Sequence, residues 1–136
     1  MINQLIKLIQ IQEEDLKKLL ELLETQYKMI MSKDVFGLEG LVDEINKCGK
    51  RIAEEEVKRR KLTGQESIAE IVNKSENKEM KKSYSDIKTT LKAVLSQKET
   101  NDMFLKQQII FNNKMIALMN PSREIKTYNS YGNLSR

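Results

Sequence analysis

Ile2, Ile9, Leu16, Leu23 and Ile30 stand at strict seven-residue intervals, and Leu5, Ile6, Leu19, Leu20 and Tyr27 fill positions between them. A seven-residue apolar repeat keeps one stripe of an α-helix turned toward a partner helix over its whole length. This segment, roughly 45 Å long at the helical rise, therefore needs another helix beside it. The chain holds one proline and no Trp, with four Tyr and three Phe in 136 residues. Its core must then come from Leu, Ile, Val and Met, which suits long packed helices better than a globule with a wide interior.

The remaining helices follow from breaks and periodicity. Ser32 to Asp34 interrupts the first pattern, and Asp34 is placed to cap a second helix. That helix carries Leu38, Leu41, Val42, Ile45, Cys48 and Ile52 on one face. Beyond Ile52 the pattern fades into Glu54 to Glu56 and Lys58 to Lys61, so this end is expected to project from the bundle or to pair loosely, with Gly64 as its stop. Ser67 with Glu70 forms a capping box before a short amphipathic helix bearing Ile68, Ile71 and Val72. Asn73 to Lys82 reads as a charged loop or the exposed start of the last helix, which runs from Met80 to Met119 without Pro or Gly. On it Tyr84, Ile87, Leu91, Val94 and Leu95 resume a seam, with Ile87, Leu91, Leu95 and Leu105 assigned to the core. Leu105, Ile109, Ile116 and Met119 extend this seam past an interruption at Lys98, Asn101 and Asp102. The expected fold is all-α: an elongated antiparallel helical bundle or coiled coil of three long helices plus one short helix, over residues 1–119. A flexible C-terminal tail, residues 120–136, follows and contains Pro121, Tyr128, Tyr131 and Gly132.

The last helix offers more apolar surface than one seam requires. Phe104, Phe111 and Leu118 recur every seven residues with Met115 beside them, about 100° round the helix from Leu105, Ile109 and Ile116. Gln108 and Asn112 lie between the two stripes, so one buried face could not take both without burying amides. Phe104, Gln108, Phe111, Asn112, Met115 and Leu118 are therefore read as a groove that binds a partner helix, with methionine supplying an adaptable contact.

Composition argues against most chemistry. The chain has no His, one Cys and five scattered Gly, so it lacks a nucleophile with its base, a metal cluster and a phosphate cradle; neither an enzyme nor a cofactor is expected. Cys48 on an apolar helix face reads as a small hydrophobe, and a lone cysteine suits a reducing, cytoplasmic compartment. Glu54 to Glu56 point in different directions on a helix and make a poor metal site. The run Lys58, Arg59, Arg60, Lys61 stands beside that acidic triplet without interleaved aromatic residues. With a mixed net charge of +4, it reads as a solvated face rather than a nucleic-acid site. Lys7, Gln10, Gln12 and Glu13 break the first apolar pattern, so no signal peptide or membrane insertion is expected there.

Two stretches resemble the FlgN-type flagellar export chaperones. Glu56, Arg59, Leu62 and Gly64 are similar to that family's pattern at the end of its second helix. Asn101 to Phe111 (Asn-Asp-Met-Phe-Leu-Lys-Gln-Gln-Ile-Ile-Phe), with Thr127, Tyr128 and Gly132, resembles its last helix and tail; Phe104 replaces the second Asn of the family's frequent Asn-x-x-Asn pattern. The resemblance implies a chaperone that holds the C-terminal helical segments of two hook-associated proteins, FlgK and FlgL, and brings them to the export machinery. It also implies that Tyr128 docks on the cytosolic domain of the export gate. The alternative from another class is a structural coiled-coil protein that self-associates through the Ile2 to Ile30 seam and has no client.

Overall fold

The computed structural model describes residues 1–119 and, beyond them, the backbone of 127–128 and 134–135. Three long helices and one short helix account for the first 119: α1 (Ile2–Ser32), α2 (Val35–Thr63), α3 (Ile68–Lys74) and α4 (Lys78–Met119). Two two-residue strands, β1 (Thr127–Tyr128) and β2 (Leu134–Ser135), pair antiparallel, Thr127 with Ser135 and Tyr128 with Leu134. The rest of the segment read as a flexible tail lies outside the described residues. The chain divides into two compact units, Met1–Gln97 and Lys98–Arg136.

In the first unit the chain reverses over two residues. Lys33 takes the left-handed conformation (φ 57°), and its N–H and that of Asp34 donate to carbonyls of the last turn of α1, the usual way a helix end satisfies its orphan acceptors. The Asp34 carboxylate then accepts from the Gly37 N–H at 3.0 Å, capping α2. So short a reversal lays α2 antiparallel on α1, and Cys48 of α2 accordingly meets Asp15 of α1, its Sγ donating to the Asp15 carbonyl at 3.3 Å. Cys48 is buried there, as its place on the apolar face suggests. Gly64 ends α2 with φ 64°, and the Ser67 hydroxyl accepts from the Glu70 N–H at 3.2 Å to start α3. The start of α4 has its own cap, Asn77 Oδ1 accepting from the Met80 N–H at 3.1 Å. The helix thus begins at Lys78, two residues before the sequence pattern places it.

The heptad stripe of α1 is the core. Leu5, Ile6 and Ile9 pack with Ile71 and Val72 of α3 and Met80 of α4, while Leu16 and Leu23 pack with Val94 of α4 and are flanked by Ile45 and Ile52 of α2. The pairing of α1 with α4 is parallel: Gln10 Nε2 donates to Ser83 Oγ at 3.4 Å and the Thr90 hydroxyl to Glu13 Oε1 at 3.4 Å.

Three expectations are corrected. Leu91 and Leu95, assigned to the core, are 43% and 56% exposed, whereas Val94 is 4% exposed. The inward stripe of α4 instead runs Met80, the half-buried Ile87 and Val94, one residue every seven, facing the matching repeat of α1. Val42 is likewise exposed, leaving Leu41 and Cys48 as the buried positions of α2. The end of α2 does not project: Gln12 of α1 donates to the Ile52 carbonyl at 3.4 Å and to Glu56 Oε2 at 3.1 Å, and Leu62 packs against the core beside α3.

Candidate binding surface

In the second unit, α4 continues through residues 98–119. Asn101 is fully buried and Lys98 Nζ pairs with Asp102 Oδ2 at 2.9 Å on the surface. The residues at which the sequence pattern breaks are thus a buried amide flanked by a solvent-facing ion pair. After Asn101 no described residue of the helix is buried. Nothing in the composition of this stretch stops a helix before Pro121, so backbone propensity carries α4 on to Met119.

The six residues read as a binding groove share a sector of about 120° on this helix. Phe111, Met115 and Leu118 are 56%, 43% and 77% exposed. Asn112 is exposed and Phe104 and Gln108 are half-buried. Ile116 and Met119, taken as extensions of the core seam, are exposed as well, and Leu105 and Ile109 are half-buried. The correction has a simple cause: the stripe that is buried in the first half of α4 is polar here, with Asn101 and Gln108 continuing Met80, Ile87 and Val94 at seven-residue spacing. Met103 and Ile110 add further exposed apolar area on a side the sequence reading did not single out, since neither belongs to the two stripes. Lys106 and Lys114 are the only charged residues from Met103 to Met119. The surface is therefore apolar with a weak positive bias.

Glu56, Arg59, Leu62 and Gly64 fall at one end of the bundle and each has a structural role. Burial would raise the Glu56 carboxyl, but hydrogen bonds from Arg59, Gln12 and Arg60 outweigh it and hold the group down at about 2. Charge-assisted bonds favour the ionised form in this way. Leu62 closes the core and Gly64 supplies the positive φ. Glu56 and Arg59 also edge a groove of about 490 Å³ whose apolar walls include Ile9, Leu16, Ile52 and Ile87. That groove contains none of the six residues predicted to bind a partner.

Tyr128 lies in β1 opposite Leu134; its side chain is outside what is described. Among the described residues no group of three or more His, Cys, Asp or Glu side chains is placed to hold a metal ion. No described helix is long and apolar enough to cross a membrane.

A family model described as FlgN protein matches residues 1–136, the full sequence. No curated protein and no solved structure matches it. With heptad-bearing helices, a capped turn at Gly64 and an apolar final helix all falling within that match, the chain belongs to the FlgN family of flagellar export chaperones.

Proposed function

We infer that the exposed sector of α4 around Phe111, Met115 and Leu118 is where this chaperone holds its client, and that the client is the C-terminal helical segment of the hook-associated proteins FlgK and FlgL. The supporting observation is the run from Met103 to Met119, in which Phe111, Met115, Ile116, Leu118 and Met119 are all more than two-fifths exposed. Contiguous apolar area of this kind on a soluble chain marks a contact surface. An amphipathic client helix laid along it would remove several hundred Å² of apolar surface from water, at about 25 cal/mol per Å², enough to offset much of the ordering cost of the client. The same contact would hide the client's assembly surface until export.

The bundle of residues 1–119 then serves as the holder, and residues 120–136 carry the address. Tyr128 docks on the cytosolic domain of the export gate while α4 keeps the client, and the whole cycle takes place in the cytoplasm without nucleic acid or membrane insertion. Two substitutions separate the roles. Phe111→Glu with Met115→Glu abolishes binding of a FlgK C-terminal peptide in calorimetry and leaves helicity intact, whereas Tyr128→Ala spares that binding and weakens capture by the immobilised gate domain. Unchanged peptide affinity in the double variant removes α4 as the client site.

A further inference from the structure

The basic run Lys58 to Lys61 is not among the residues proposed to hold the client, and the fold sorts its four members. Arg59 and Arg60 are committed to Glu56, through Arg59 Nε at 3.2 Å and Arg60 Nε at 3.0 Å. Lys58 and Lys61 instead meet Lys7 of α1 around a shallow groove of about 470 Å³ between α1 and α2. Its floor is Leu8, Ile11 and Leu62, and Gln4 completes the lining, so no acidic residue is part of it. Glu55, which feels Lys58 electrostatically, is not in the lining. No ion pair forms to Lys7, Lys58 or Lys61 among the described residues. Ile11 is 41% exposed.

We propose that this groove is a second docking surface, which takes an acidic amphipathic helix from a protein partner. The charge pattern sets the partner's chemistry. Lys58 and Lys61 are one helical turn apart on α2 and Lys7 lines the same groove from α1, so three positive charges rim an apolar floor. A helix with carboxylates along its flanks complements those charges, while its leucine-type side chains cover Leu8, Ile11 and Leu62. A phosphate backbone would answer the lysines but would press charged groups against three aliphatic side chains, with no aromatic residue in the lining to stack a base.

Fluorescence anisotropy with a labelled synthetic helix of Leu and Glu, about four turns long, tests the assignment on the full chain. The peptide binds, its affinity falls as salt rises, and its Glu→Gln counterpart binds at least about tenfold more weakly. Lys58→Glu with Lys61→Glu, the milder Lys58→Gln with Lys61→Gln, and Ile11→Asp each weaken binding, the first by at least about tenfold. All three leave circular dichroism and FlgK-peptide binding unchanged, which separates this surface from the one on α4. Absence of peptide binding overturns the proposal, as does equal binding of the Gln counterpart. So does an Ile11→Asp variant of full affinity whose bound peptide is displaced by short single-stranded DNA, since the site would then read charge alone.

Discussion

The side-chain amide of Gln12, buried in the middle of α1, donates to the carboxylate of Glu56 in α2 at 3.1 Å. The same carboxylate receives Arg59 and Arg60. One acidic group therefore ties the antiparallel pair together and pairs with two arginines. Glu56→Ala leaves the Gln12 amide with only the Ile52 carbonyl at 3.4 Å and is expected to cost about 1–3 kcal/mol, read from urea denaturation. Because the folded carboxyl sits at about 2, below its ordinary 4.5, its contribution is complete above pH 4.5 and disappears as pH falls toward 2. The variant should lose stability less steeply than wild type across that acid range.

The neighbouring glutamate behaves oppositely. Burial raises the Glu55 carboxyl from 4.5 to about 7, with Asp15 adding to the effect by hydrogen bond and charge, and Arg51 and Lys58 opposing it. Asp15 is itself buried, with Arg51 Nε at 3.6 Å and Lys18 Nζ at 4.0 Å. A folded-state value above the unfolded one means that the contribution is whole below pH 4.5 and is lost as pH rises through 7. Stability should fall by on the order of 1 kcal/mol over that window, and Glu55→Gln should flatten the profile.

Val94 and Leu95 are adjacent, both aliphatic and oppositely placed. Val94 packs with Leu16 and Leu23, whereas Leu95 is more than half exposed. Val94→Ala is expected to destabilise the fold by about 1–2 kcal/mol and Leu95→Ala by less than about 0.5 kcal/mol, despite the larger truncation at Leu95. Equal costs would return Leu95 to the core.

Glycine has two distinct uses in α2. At Gly49 a Cβ would meet nothing within 4 Å, so Gly49→Ala should stabilise the helix by up to about 1 kcal/mol. At Gly64 the φ of +64° penalises any side chain, and Gly64→Ala should cost about 1 kcal/mol. Thermal unfolding monitored at the helix band checks both signs.

The parts of the fold legible in the sequence are those where one residue type has one local job. The heptads from Ile2 to Ile30 prescribe a helix and its buried stripe, and Asp34, Ser67 and Gly64 cap or stop helices through their own backbone neighbours. The parts that were not legible depend on a partner across space. Gln12 and Asp15 are polar yet buried, because α2 brings Glu56, Arg51 and Cys48 to them. The stripe of α4 shifts from Leu91 and Leu95 to Val94 because it follows the repeat of α1. Likewise, Lys58 to Lys61 reads as one basic run until the helix turns two members to Glu56 and two to Lys7. Of the six residues proposed to bind the client, the shared sector was readable from periodicity; the degree of exposure of each was not, since it depends on what the rest of the chain leaves uncovered.

The central claim, that the end of α4 is the seat of the client, is tested most directly by amide hydrogen exchange on the full chain with and without a FlgK C-terminal peptide. The account predicts new protection concentrated in residues 103–119, with residues 2–32 and 35–63 exchanging as before. Protection that appears in the first two helices while residues 103–119 exchange at their free rate would contradict it.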